Sequence, residues 1–190
     1  GRYPTSIGME FTPIPKFFAK FMADKRPAHA PQTIYHHDLY DLVPDMVDLH
    51  MPKEVPLMSE ALRQYGYSNY FLGKWDGSFK EDENSPLHRG YDETLAILLG
   101  SSLYAAVDDP RIVSSNNISV DQFMKRMLSY KIQHNNGAAF RPSEYMTDYL
   151  GIESSHLIHK LAERRTEPDK TRQVPDDPWF MTVAFTAPHN

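Results

Sequence analysis

The chain has 190 residues, 41% of them hydrophobic, which is long enough for one substantial core. Its 20 Lys+Arg against 25 Asp+Glu give a net charge of -5, and no basic block or stripe is present to follow a phosphate backbone, which argues against nucleic acid as a partner. No apolar run reaches the ~18 residues that cross a membrane, and the absence of cysteine excludes disulfides, thiol nucleophiles and cysteine-ligated zinc within these residues while leaving the compartment open.

The chain opens "GRYPTSIGME", without an initiating Met, a charged leader or an apolar leader, and closes "PWFMTVAFTAPHN", just after a strongly apolar segment. Together these ends lead us to expect an internal fragment. Gly8 to Lys53 is rich in Pro, His and aromatics; it reads as a short helix, "KFFAKFMA", followed by an extended, loop-rich tail through "HHDLYDLVPDM". Val55 to Tyr65 reads as an amphipathic helix with Leu57, Met58, Ala61, Leu62 and Tyr65 on one stripe, Pro56 near its start and Gly66 just past its end. Tyr67 to Leu72 follows as an aromatic-rich strand closed by Gly73.

Tyr91 to Leu103 is apolar and reads as a helix or as a loop packed on the core; Asp108 to Phe140 reads as an excursion carrying one helix, Val120 to Ile132. Pro142 to Arg165 has helical periodicity, with Tyr145, Met146, Tyr149, Ile152, Leu157, Ile158 and Leu161 toward a core and Gly151 a weak point. After the polar connection "TEPDKTRQVPDDP", Trp179 to Thr186 reads as a buried strand. Helices alternating with buried strands predict an α/β sandwich with a mixed, largely parallel sheet, in which ligands gather beyond the carboxyl ends of the strands. Lys74 and Asp76 follow one predicted strand, and His189 and Asn190 follow the other, so parallel pairing would bring all four to one sheet edge.

A lysine after a strand is ordinarily a solvated loop residue. The neighbours of Lys74 argue otherwise: Gly73 allows close backbone approach, Trp75 can wall a pocket, and a compact ammonium suits an anionic oxygen. His189 follows Pro188, which fixes the backbone before it, so its imidazole can act as a donor or proton carrier. The His36, His37, Asp38 triplet has no partner at a metal-ligand spacing, and Glu153 with His156 lacks the second Glu-x-x-His pair of a di-iron site, so both read as solvated. Asn117-Ile118-Ser119 is a glycosylation sequon, which matters only in a eukaryotic secretory setting.

Four segments, "GRYPTSIGM", "GYSNYFLGKWD", "PLHRGYDETL" and "FMTVAFTAPHN", occur in the order and rough spacing of motifs in the sulfatase family, an arylsulfatase-like branch of the alkaline phosphatase superfamily. The first resembles the end of the Cys/Ser-x-Pro-x-Arg signature with its Thr-Gly-Arg-Tyr-Pro continuation. The second is similar to Gly-Tyr-x-Thr-x-x-x-Gly-Lys-Trp-His, the third to Pro-x-x-Arg-Gly-Phe-Asp, and the fourth to the Ala-Pro-His segment. The long loops between them are unmatched.

The resemblance implies an alkaline phosphatase-like α/β fold, incomplete in this chain. Residues 1–190 would be the central part of the N-terminal catalytic domain, with no separate second domain. It further implies a sulfuric ester hydrolase acting on a sulfated small molecule or glycan through a formylglycine upstream of Gly1, aided by Ca2+ whose ligands lie outside these residues. Lys74 and His189 would bind the sulfate, His189 would assist the leaving oxygen, and Arg2 would brace the nucleophile's helix. Export to a periplasmic, secreted or lysosomal setting is the family's habit. Asn69 stands where the family has threonine. Asp76 stands where it has a histidine that contacts the hydrated nucleophile, so Asp76 either serves as base or pairs with Lys74 or Arg89. Alternatives are a phosphodiester or phosphonate hydrolase of the same superfamily, and a non-catalytic homologue that binds sulfated glycan.

Overall fold

A computed structural model of the chain describes residues 3, 6, 20, 24, 36–42, 45, 48–78, 83–98, 104–106, 108–111, 130–166 and 178–188. Its elements are a 3-10 helix His37–Leu42, helix α1 (Met58–Arg63), strand β1 (Ser68–Lys74), a 3-10 helix Pro86–Arg89, strands β2 (Glu93–Ile97) and β3 (Gln133–His134), the long helix α2 (Met146–Thr166) and strand β4 (Trp179–Ala184). The sheet order is β3-β2-β1-β4. Strand β1 is parallel to both β2 and β4, and β3 is antiparallel to β2. The expected mixed, largely parallel sheet is therefore present, with β1 at its centre.

Period-two alternation along β1 sorts its side chains between two cores. Tyr70 and Leu72 join Leu95, Ile97, Ile132, Met146, Leu150 and Leu161 on the α2 face. Phe71 and Trp75 join Tyr91, Ala96 and the partly buried Leu57 and Phe180 on the opposite face. Strand β1 is buried along nearly its whole length because both faces and both edges are covered.

Several elements differ from the sequence expectations. The 91–103 run supplies strand β2: a continuous apolar stretch has no helical or alternating period to distinguish the states, and pairing with β1 selects the strand. The predicted excursion helix lies largely outside the described residues; its end, at Ile132, is a bridge to Phe140 rather than helix. The tail at His37–Leu42 is a 3-10 turn, not extended chain.

Helix α1 is only six residues long, and its Met58 and Tyr65 neighbours on the predicted stripe are exposed. Its buried residue is Ser59. In α2 the buried face runs through Met146, Leu150, Ser154 and Leu161, whereas Ile152 and Ile158 are exposed, so the predicted stripe is rotated. The helix continues through Gly151 without a break. Strand β4 is half-buried along its length, since it is the edge strand among the described residues. Of the predicted "KFFAKFMA" helix, Lys20 is described and helical, as is Asp24 just past it; the remainder of that helix and the Asn117 sequon lie outside the described residues.

Candidate functional site

The carboxyl ends of β1, β2 and β4 lie on one edge because the three strands are parallel. At that edge Lys74 pairs in register with Ile97, and Gly73 lies between Ala96 and Ala184. Gly73 has φ +115°, and a Cβ built on it would lie 2.0 Å from the Ala184 carbonyl oxygen. Only glycine lets β1 come this close to β4 while turning out of the strand.

Lys74 is not a solvated loop residue: its side chain is 17% exposed. Its Nζ lies 3.4 Å from Oδ2 of Asp76, whose side chain is 56% exposed. A lysine this buried needs an anionic partner, and here the partner is itself accessible to solvent.

Trp75 does not wall a pocket beside Lys74. It lies on the other face of β1, 8% exposed, edge-on to Phe71 and Tyr91. Its indole N–H donates to the Asn84 carbonyl at 3.0 Å. Trp75 thus anchors the turn that carries Asp76, and Gly77 leaves room for its ring.

Asp76 does not pair with Arg89, which has other partners. The Arg89 guanidinium is 2% exposed and donates through Nε to Glu60 Oε1 at 2.7 Å, through one terminal nitrogen to the Met51 carbonyl at 3.2 Å, and through the other to the Val55 carbonyl at 2.8 Å. Around it, Ser59 Oγ donates to the Arg89 carbonyl at 2.6 Å, and Asn69 Nδ2 donates to the carbonyls of Ser59 and Gly90, each at 2.8 Å. The threonine expected at 69 has one side-chain donor, so it could not make both bonds; the amide can. Gly90, at φ +86°, closes the motif, and a Cβ there would lie 2.6 Å from the Glu60 nitrogen. Asp92 accepts from the Asn69 N–H at 2.8 Å and pairs with Arg63 at 3.1 Å.

Sequence reasoning missed this polar network. Its available signal was the Arg-Gly-Tyr-Asp tetrapeptide; Ser59 lies off the predicted apolar stripe yet is the buried residue of α1.

Burial pushes the Glu60 carboxyl up, but the Arg89 hydrogen bond, the Leu57 N–H and the Arg89 charge outweigh it, and the group sits below its ordinary value of 4.5. A carboxylate with a depressed folded pKa stabilises the fold above its unfolded pKa, and that contribution is lost as pH falls through the lower folded value. Glu60→Gln is therefore expected to reduce stability at neutral pH and to flatten the acid limb of a denaturation profile. An unchanged acid limb in the variant would contradict the pairing.

His189 and Arg2 lie outside the described residues. Thr186, two residues past β4 and 4% exposed, keeps a buried hydroxyl without a hydrogen-bond partner among the described residues. The remaining candidates stay dispersed: His36 and Asp38 are exposed and 3.9 Å apart, and His156 is exposed and 4.0 Å from Glu153. Among the described residues, no three His, Asp or Glu side chains converge as a metal cluster, and no helix is long and apolar enough to cross a membrane.

The family model described as Sulfatase matches residues 31–190. The chain belongs to the sulfatase family. It is 26% identical over 144 residues to arylsulfatase J of Mus musculus, an alignment covering 74% of this chain and 20% of that protein. Among solved structures, Ps i-CgsB matches with TM-score 0.53 and 21% identity over 75% of this chain and 29% of that one. Ps i-CgsB in complex with k-i-k-neocarrahexaose matches with TM-score 0.52 and the same identity and coverage. At that identity the structural likeness establishes the fold. This sulfatase chain spans about a fifth of the length of the curated relative and under a third of the solved structures.

Proposed function

We propose that this chain is the central part of the catalytic α/β domain of a sulfuric ester hydrolase, with Lys74 holding a sulfate oxygen. The observation that carries the reading is the largely buried Lys74 side chain at the carboxyl edge of the central parallel strand, its Nζ 3.4 Å from a solvent-accessible carboxylate. Sulfuryl transfer places negative charge on the sulfate oxygens. A preorganised cation with little water around it stabilises that charge more than a hydrated one does. Family membership supports a sulfated substrate, either a small molecule or a glycan, and Ps i-CgsB, solved with k-i-k-neocarrahexaose, favours the glycan.

On this reading His189 binds a second sulfate oxygen and protonates the leaving oxygen, while Arg2 braces the nucleophile's helix. The formylglycine and Ca2+ of the family would supply the attacking hydrate and further neutralise the sulfate; the described residues contain no cluster to hold that metal. Asp76 screens Lys74 in the resting site, gives way to the sulfate, and accepts a proton from the attacking group.

The direct test is substrate profile in the complete protein. Nitrophenyl sulfate should be hydrolysed in preference to bis-nitrophenyl phosphate. The reverse preference would favour a phosphodiester or phosphonate hydrolase, and binding of a sulfated glycan without turnover would favour a non-catalytic homologue. Asp76→Asn should lower kcat while shifting stability by less than about 1 kcal/mol, the range for an exposed ion pair. Equal losses of activity and stability would mark Asp76 as a structural partner instead.

A further inference from the structure

We propose that Arg89 is a positioning residue for the Lys74–Asp76 end of β1, acting through the backbone of Met51; this rests on the reading that Lys74 binds sulfate. Arg89 lies on the far side of a short strap from that end. Its guanidinium grips the strap at two carbonyls, Met51 at 3.2 Å and Val55 at 2.8 Å. The strap in turn grips the turn after β1: the Met51 N–H donates to the Gly77 carbonyl at 2.9 Å, and His50 bridges Ser78 in antiparallel fashion. Gly77 packs against the indole of Trp75, whose N–H is fixed to Asn84. Opposite faces of one peptide-bonded residue, Met51, thus join the buried cation to the turn bearing Asp76.

Glu60 completes the device. It aims the guanidinium by accepting from Nε, and the two terminal nitrogens are thereby directed at the strap. The planar fork of arginine can serve one carboxylate and two carbonyls at once, which the single ammonium of lysine cannot reproduce with the same reach. Arg89 commits three of its five N–H donors to these contacts, and its side chain, 2% exposed, acts from within the fold. Its effect on chemistry passes through the position of Lys74 and Asp76, where small displacements are costly.

The experiment compares three variants of the complete protein, Arg89→Lys, Ser59→Ala and Lys74→Ala, each assayed below its own Tm. The readouts are kcat and KM on nitrophenyl sulfate and hydrogen exchange at the Met51 amide. Ser59→Ala removes a neighbouring bond, to the Arg89 carbonyl, without touching the strap. Arg89→Lys should lower kcat by about tenfold or more and speed exchange at Met51, whereas Ser59→Ala should lower Tm but leave kcat and Met51 exchange near wild type.

Unchanged kcat in Arg89→Lys, or equal activity losses in Arg89→Lys and Ser59→Ala, would overturn the proposal. The Lys74→Ala arm separates the two levels. An inactive Lys74→Ala beside a fully active Arg89→Lys defeats the Arg89 inference alone, whereas a fully active Lys74→Ala defeats the sulfate-site reading and the inference with it.

Discussion

Replacing Lys74 with alanine in the complete protein is expected to lower kcat on nitrophenyl sulfate by about 10²-fold or more, the usual cost of losing one preorganised charge donor. The expectation follows from where the ammonium sits. On the proposed reading, a side chain only 17% exposed would meet a sulfate oxygen with little intervening water, and its partner Asp76, 56% exposed, would have room to move aside. The fold should tolerate the change, because the released Asp76 carboxylate is already half in solvent and lies outside the β1 ladder. Thermal unfolding measured beside kcat separates the two effects. Wild-type turnover in a folded Lys74→Ala variant would remove Lys74 from the sulfate site.

Gly73→Ala should instead remove the fold. The new Cβ would lie 2.0 Å from the carbonyl oxygen and 2.6 Å from the carbonyl carbon of Ala184, both backbone atoms of a strand paired to β1 along its length. Neither can rotate away as a side chain would, and φ +115° is a conformation that L side chains rarely adopt. Steric overlap and backbone strain together should cost about 3 kcal/mol or more, read as a fall in Tm with activity lost in parallel. A variant within about 0.5 kcal/mol of wild type, the range of a neutral surface change, would show that β1 and β4 can part at this point without penalty.

These two positions are adjacent, yet the physics differs. Gly73 is set by backbone geometry between strands, and Lys74 by the chemistry of the edge those strands create. The Glu60 and Arg89 expectations concern the opposite face of β1. There a buried cation grips the fold through one carboxylate and two carbonyls, using three of its five donors. The two cations differ in their partners: Arg89 is held by one carboxylate and two backbone carbonyls, and Lys74 by a carboxylate whose side chain is 56% exposed.

Local pattern sufficed for the existence of β1, α2 and β4, because each depends on residues near one another in the chain, whereas Gly73, expected to close β1, is paired within it and the strand runs on to Lys74. The parallel sheet was legible for the same reason, since helix-strand alternation constrains connection and direction. Strand β2 was not legible: its apolar run suits helix, loop or strand equally, and only pairing with β1 chooses. The two-residue β3 exists only as a partner of Leu95 and Ala96.

The faces of the helices were likewise decided at a distance. Ser59 is buried because the Arg89 carbonyl, 30 residues away, accepts its hydroxyl, and no periodicity within α1 encodes that acceptor. The family likeness marked Lys74 and the Arg-Gly-Tyr-Asp motif as notable without saying what either touches. Tertiary structure settled that Trp75 turns away from Lys74, that Asp76 pairs with Lys74, and that Arg89 belongs to Glu60, Met51 and Val55. Burial and charge pairing depend on which distant groups share a low-dielectric space. That arrangement comes into being only when the sheet has formed and its two faces have been covered.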